Sequence, residues 1–365
     1  MLRRTIPEIV LMLLLISMLT FAFNVRIKHV NADISERIVF VTEGNIHIIN
    51  PDGSNEIRLT KGSYPKWSPD GKKIAYKLGS DLYVINDDGT GKIRVAYNVS
   101  GDEFSWSPNG EKIVFAGRRE WSGNGGLWMG KNAGIYIVNA DGSNLVRLTY
   151  DEDSAPVFSP DGKKIAYFGC RALENEEGWV RDLICIMNTD GTNKIMFEAG
   201  INLHTVGRDI IDWSVNGKLV IGNSGSGDIL VMDVNGTNRV LISTYSANPI
   251  WSPDGKKIAY VSWPQHSIFV ANPDGTGKTQ VIEKFTEKIS WSPNGEKIIF
   301  EDSSEKAIYI VNIDGSGLTK LTYGSYPSWI PEFPSIVILP VFMSITLIAT
   351  VLLKRKRRPK PQPLS

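Results

Sequence analysis

The sequence predicts an all-β fold: a β-propeller of seven four-stranded antiparallel blades, closed by pairing of an N-terminal with a C-terminal strand, with membrane helices at both ends. Three observations predict it. The run Trp67-Ser-Pro-Asp-Gly-Lys-Lys-Ile-Ala-Tyr76 returns almost verbatim from Trp251, and in degenerate form from Trp106, Phe158, Trp213 and Trp291. A turn of one kind, Asn-x-Asp-Gly in six copies and Asp-Val-Asn-Gly in the seventh, ends at Gly53, Gly89, Gly142, Gly191, Gly236, Gly275 and Gly315. The last copy of the first motif is split, with Ser325-Tyr-Pro-Ser-Trp329 restating Ser63-Tyr-Pro-Lys-Trp67 while Arg37-Ile-Val-Phe40 supplies the strand that should follow it. A repeat of roughly 40 residues holding four strands has the spacing of a propeller blade, and a split copy lets the two chain ends share one blade without an exposed edge.

The elements follow in chain order. Residues 1–32 carry Arg3 and Arg4 before an apolar run from Ile9 to Val25, and Val30-Asn31-Ala32 offers a cleavage point. That is the pattern of a secretory signal peptide, or of an uncleaved signal anchor. Residues 33–330 form the array, each unit having strand A ending at Trp, B at Ile-Ala-Tyr, C as Asp-Leu-Tyr-Val-Ile and D near Arg-Leu-Thr. Ser-Pro-Asp-Gly between A and B is a tight hairpin, because Pro presets φ at its second position, Asp suits the third and Gly takes the positive φ that follows. Trp recurring once per unit is explained by packing. Residues 331–353 hold Pro331-Glu332-Phe333 and the uncharged stretch Ile336–Leu353, 18 residues long. At 1.5 Å per residue that is about 27 Å, enough to cross a hydrocarbon core. Residues 354–365 open with Lys354, Arg355, Lys356, Arg357 and Arg358, which the positive-inside rule places in the cytoplasm, leaving the array outside the cell.

The net charge of +1 hides an uneven distribution, since residues 1–32 and 331–365 hold ten of the 40 Lys/Arg and two of the 39 Asp/Glu, leaving 30 − 37 = −7 between them. An acidic array without a basic stripe excludes a nucleic-acid partner. The two cysteines, Cys170 and Cys185, flank one loop, and outside the cell they either pair as a disulfide or remain two unpaired thiols. Asn98-Val-Ser100 and Asn235-Gly-Thr237 fit the N-glycosylation pattern.

The units resemble the propeller repeats of the TolB family over residues 36–329. That family usually carries six such blades behind an N-terminal α/β domain, so the resemblance implies the fold and leaves the Tol–Pal role behind. The same repeat type builds the propeller of prolyl-oligopeptidase-like enzymes, whose hydrolase domain has no counterpart beside the membrane segment here. Pro331-Glu332-Phe333, with its apolar stretch and basic tail, resembles the archaeal PEF-type C-terminal sorting signal, which implies cleavage by a membrane transpeptidase and attachment to a surface lipid. A plain stop-transfer anchor is the alternative.

Chemical motifs fail in turn. Gly275-Thr-Gly-Lys-Thr279 ends like a phosphate-binding loop, but Asn272 stands where that loop needs Gly. Gly-x-Ser-x-Gly does not occur. The array's histidines are His47, His204 and His266, too dispersed for the metal site that a likeness to seven-bladed oligogalacturonate lyases would imply. Asp151 and Asp153 precede the fourth blade; calcium binding at a rim is one reading of them, and solvated loop carboxylates the expected one. No cofactor or metal is expected.

Function is therefore sought where one repeat departs from the rest. From the end of strand B to the aromatic position of strand C, five blades need seven to nine residues, whereas Phe115 to Tyr136 takes 21 and Tyr167 to Cys185 takes 18. The connection Ala199 to Asp209 is also expanded. These three insertions share one face, on blades III and IV and the IV–V junction. They carry Arg118, Arg119, Trp121, Trp128, Arg171, Glu176, Trp179, Arg181, His204 and Arg208, a set of planar and aromatic groups suited to binding hot spots and to stacking on sugar rings. Mutual packing of the loops is the bland explanation of the same tryptophans. The expected function is a surface-anchored binding or interaction module for a surface protein or glycan. A hydrolase or lyase acting on surface polysaccharide through Glu174, Glu176, Glu177 and His204 is the enzyme alternative, and a structural coat protein is the third.

Overall fold

The computed structural model describes residues 37–117, 133–151, 153–172, 179–198, 209–223, 227–286 and 288–330. The expected terminal helices, the sorting motif Pro331-Glu332-Phe333 and most of the three insertions lie outside these residues.

The described residues form seven four-stranded antiparallel sheets. Blade I joins β28 (Ser325–Trp329) to β1 (Ile38–Thr42), β2 (Asn45–Ile49) and β3 (Ile57–Lys61). Blade II is β4 (Ser63–Trp67), β5 (Lys73–Leu78), β6 (Asp81–Asn86) and β7 (Ile93–Ala96). Blade III is β8 (Val99–Trp106), β9 (Lys112–Gly117), β10 (Ile135–Asn139) and β11 (Val146–Arg147). Blade IV is β12 (Ser154–Phe158), β13 (Lys164–Ala172), β14 (Trp179–Asn188) and β15 (Ile195–Glu198). Blade V is β16 (Asp209–Trp213), β17 (Lys218–Asn223), β18 (Ile229–Asp233) and β19 (Val240–Ser243). Blade VI is β20 (Ser246–Trp251), β21 (Ile258–Ser262), β22 (Ser267–Ala271) and β23 (Thr279–Glu283), and blade VII is β24 (Ile289–Trp291), β25 (Lys297–Asp302), β26 (Ala307–Asn312) and β27 (Thr319–Tyr323).

The turns obey the chemistry their residues offer. In blade II, Gly71 takes φ 63° and donates to the Ser68 carbonyl at 2.9 Å, while the Ser68 hydroxyl donates to Asp70 Oδ1 at 2.6 Å and accepts from the Lys73 amide at 2.9 Å. On the other hairpin Asn86 Nδ2 donates to Thr90 Oγ1 at 3.0 Å, and the Thr90 amide and hydroxyl both donate to Asp88 Oδ1. Those bonds, led by the hydroxyl's, hold the Asp88 carboxyl below the usual carboxylate range.

Packing explains why Trp recurs. Each repeat Trp, or Phe158 in its place, lies in the seam with the preceding blade: Trp67 against blade I, Trp106 against II, Phe158 against III, Trp213 against IV, Trp251 against V and Trp291 against VI. Trp329 of β28 packs with Ile38, Phe40 and Ile49 of blade I against Ile299, Ile308 and Ile310 of blade VII. A linear array of seven blades has six seams; the hydrophobic cluster between blades VII and I is the seventh. Ile38 pairs with Trp329 and Val39 with Ser328, so the first and last described strands share one sheet.

The side chain of Cys170, one half of the bridge considered from sequence, lies outside the described residues. Cys185 carries a free, buried thiol opposite Tyr167 in the β13–β14 register, and a Cβ added at Gly169 would stand 2.4 Å from its Sγ. Burial, with the nearby Asp153 charge, pushes the thiol up to about 12. Asp153 is itself buried, in contrast to the solvated loop carboxylate expected from sequence.

Candidate functional site

Strand A is terminal in every sheet, so one edge of its backbone lacks a strand partner. The A strands face one another around a central channel, since an ion pair joins residues preceding or within A strands of blades III and VII. Unpaired edge groups need other partners. Neighbouring blades supply them: Lys66 Nζ donates to the carbonyls of Asp102 and Phe104 at 2.8 and 2.7 Å, and Asp212 accepts from the amides of Trp251 and Trp213 at 2.8 and 2.9 Å. The indole of Trp106 returns a bond to the Lys66 carbonyl at 3.1 Å, as that of Trp291 does to Ile250 at 3.3 Å.

The third residue before the repeat Trp differs in every blade except I and II, running Tyr64, Glu103, Ala155, Ile210, Asn248, Lys288 and Tyr326 from blade II round to blade I. Tyr64, Ala155, Asn248 and Tyr326 each precede a proline and hold a positive φ, at bulges between strands A and B. Because strand A runs from the face of the B–C loops toward the Ser-Pro-Asp-Gly turns, these residues stand at the channel mouth on the B–C face. The Tyr64 and Tyr326 rings meet edge to face with centroids 4.6 Å apart. Lys288 lies 5.7 Å from the Tyr326 ring centre, and its Nζ reaches Asp102 Oδ2 at 2.7 Å. That ion pair spans the channel, for blades I and II lie between its partners.

Blade III makes the reach possible. Val99 pairs with Gly117 and Phe104 with Phe115, so four residues, Ser100 to Glu103, stand opposite Ala116 alone. In blade II the corresponding excess is one residue, between Ser63 and Lys66. The blade III bulge is pinned by its backbone, with Lys77 Nζ donating to the Val99 carbonyl beside the two Lys66 bonds. Glu103 Oε2 accepts from the Ala155 amide at 3.2 Å and Oε1 from Ser100 at 3.3 Å, which turns it toward blade IV.

The electrostatics follow from crowding. Burial brings the Lys66 ammonium down to about 8, against the pull of Asp102 and with a further push from Lys288. Burial likewise raises the Asp212 carboxyl above its ordinary range, partly offset by its two backbone bonds. Among the described residues no group of His, Cys, Asp and Glu is arranged to hold a metal. His47 instead tilts against Phe40 at 5.5 Å.

Of the rim residues expected from sequence, Arg118, Arg119, Trp121, Trp128, Glu176, His204 and Arg208 lie outside the described residues. Arg171, Trp179 and Arg181 fall on the extended β13–β14 hairpin, where Arg171 pairs with Val180 and Ala172 with Trp179. Its register carries blade IV beyond its repeat length on the B–C face. Asn98 and Asn235 are exposed, Asn98 between β7 and β8 and Asn235 in the β18–β19 turn. The mouth residues were missed from sequence, although reading the third residue before each Trp as a column would have found them. Trp263, which joins β21 to β22, is a further non-repeat tryptophan on the same face; its amide donates to the Tyr245 carbonyl at 2.9 Å.

The comparisons agree with this geometry. Residues 19–175 match the model of the TolB β-propeller domain. The Tol-Pal system protein TolB of Actinobacillus succinogenes is 34% identical over 67 residues, 17% of this chain. The curated relatives that match do so over 16% of their own length. Among solved structures, TolB from Acinetobacter baumannii superposes with a TM-score of 0.51 at 19% identity, covering 82% of this chain and 68% of that one. An oligogalacturonate lyase from Vibrio parahaemolyticus gives 0.55 at 14% identity, covering 73% and 83%. With seven sheets, a Trp in nearly every seam and a repeat that matches TolB in sequence, the chain is a seven-bladed, TolB-like β-propeller.

Proposed function

We propose that the chain is an exported, membrane-tethered binding module that captures a surface protein or glycan on the B–C face of blades III and IV. The observation that carries this reading is that departures from the repeat converge there: the enlarged blade III bulge, the extended β13–β14 hairpin, and the points where the long insertions leave and rejoin the scaffold. A rigid ring that varies at one place is the usual way to hold a recognition surface. TolB-like propellers are typically extracytoplasmic, in keeping with an exported chain. Tethering through residues 331–353, with processing at Pro331-Glu332-Phe333 by a sorting transpeptidase, completes the reading.

The test is a glycan and surface-protein binding screen of the full chain beside a variant whose 118–132 and 173–178 segments are shortened to scaffold length. Capture by the parent and not by the shortened chain supports the rim. Equal capture by both removes function from the insertions. Turnover of a polysaccharide that disappears with Glu174, Glu176, Glu177 or His204, but survives Trp121→Ala, would turn the reading to the enzyme alternative.

A further inference from the structure

We infer that two copies of the chain associate edge to edge through blade IV, with β15 pairing antiparallel to β15 of a second copy. The inference is independent of the rim reading. Strand D lies at the outer end of every sheet, where unpaired N–H and C=O groups accept a further strand unless the edge is bulged, short or charged. In five blades the ladder between strands C and D breaks register beside the aromatic position of strand C, and in blade III β11 is two residues long. Among the described residues β15 is the one D strand that is both longer than this and unbroken, with Ile195 to Glu198 paired in sequence to β14.

Charge is missing there as well. The D residue opposite the aromatic position of strand C is Arg58, Arg94, Arg147, Met196, Leu241, Gln280 and Lys320 from blade I to blade VII. A two-fold pairing centred on that residue sets it against itself, and like charges directly opposite are destabilising. Blades I, II, III and VII are guarded in this way, whereas Met196 is 65% exposed beside Ile195 at 46%.

The occupant follows from the residues that flank Met196. In an antiparallel pair centred on it, Lys194 stands opposite Glu198 of the second copy and Glu198 opposite Lys194 of the second copy, so two ion pairs form on the face of Met196. Lys194 Nζ meets the Leu148 carbonyl at 3.5 Å, which leaves donors for a carboxylate. Blades V and VI, uncharged at the same position, would set Arg239 against Ser243 and Lys278 against Ile282, with no match for either cation. Arg239 instead donates to the Glu198 carbonyl at 2.5 Å and fixes the end of the open edge. Strands this short make a small contact, so the dimer is a reversible one.

The experiment is sedimentation equilibrium of the full-length chain in density-matched detergent, from about 1 to about 300 μM. The dimer fraction is expected to grow over that range. Met196→Lys, which gives blade IV the kind of cation that four other blades carry, should weaken association about tenfold or more, and so should Lys194→Glu. Adding Glu198→Lys to Lys194→Glu should bring association back to within about threefold of the parent. Under mild oxidation Met196→Cys should cross-link two copies beyond the level of the parent's own thiols, because residues directly opposite in an antiparallel ladder have Cα atoms about 4.5–5.5 Å apart. Gln280→Cys, at the same position of blade VI, should not. Unfolding midpoints of each variant show that the fold is kept. A parent that stays monomeric overturns the dimer, and association indifferent to Met196→Lys, or equal cross-linking through blades IV and VI, overturns the edge. Failure of the double reversal to recover association overturns the register.

Discussion

Lys66 shows how a residue can be structural and chemically perturbed at once. Its ammonium closes the unpaired edge of β8 through two carbonyls, yet burial brings it down to about 8 from an ordinary 10.5. A lysine whose folded pKa lies below its unfolded value disfavours folding while both states are charged, and that penalty is relieved as pH rises from the folded toward the unfolded value. The native protein should therefore gain stability relative to Lys66→Met between pH 8 and 10.5, read as a rising difference in urea midpoint; a flat difference would mean that Lys66 titrates normally. Glu305 has the opposite sign. The hydroxyl of Tyr309 and the ammonium of Lys284 hold its carboxyl down to about 2, so what it contributes is present above pH 4.5 and is lost as pH falls toward 2. Glu305→Gln should flatten acid unfolding in that window. The seam tryptophans were legible because identical residues perform identical work in each blade. Trp67, 2% exposed between blades I and II, should cost about 3–5 kcal/mol as Trp67→Ala, measured by chemical denaturation. The mouth was not legible, because Asp102 and Lys288 are 186 residues apart and occupy positions where the repeats disagree.

At the scale of the element, the Ser-Pro-Asp-Gly and Asn-x-Asp-Gly type turns announced the C–D hairpin of every blade and the A–B hairpin of every blade but the split blade I, because local side-chain bonds set them. The B–C register was equally readable: the pairs Phe40 with His47, Tyr76 with Tyr83, Phe115 with Tyr136, Ile221 with Leu230, Tyr260 with Phe269 and Phe300 with Tyr309 are direct neighbours across β-ladders. The bulges were not readable. A Tyr-Pro pair in strand A was seen as part of the repeat, whereas its meaning is a positive φ at Tyr64 and Tyr326 that breaks the register and turns both rings toward each other. The element whose loss should matter most is β28. Deleting residues 325–329 removes the edge partner of β1 and takes Trp329 out of the VII–I seam. The shortened chain should be far less stable than one lacking five residues from an exposed turn, and limited proteolysis should cut blade I first. Equal protease resistance in both would mean that the strand contributes little.

At the scale of the molecule, seven blades with seven seams differ from a linear repeat array in how they come apart. A linear array contacts only nearest neighbours and can fray from either end. Here the first and last blades share a hydrophobic seam, blade I contains both described ends, and the Lys288–Asp102 pair links blades that are not neighbours. No blade is terminal, so none can unfold without opening two seams. The parent chain should therefore unfold in one transition, with far-UV circular dichroism and tryptophan fluorescence giving the same midpoint. The chain lacking residues 325–329 regains terminal blades, and its two midpoints should separate as the denaturant dependence becomes shallower. Breaking the trans-channel pair alone should do much less. An ion pair whose side chains are about one quarter exposed contributes about 1 kcal/mol or less, and a double-mutant cycle on Lys288 and Asp102 should return a coupling of that size that shrinks with salt. If that cycle instead abolished the single transition, cohesion would reside in the mouth and not in the seams, and the repeated tryptophans would no longer account for the ring.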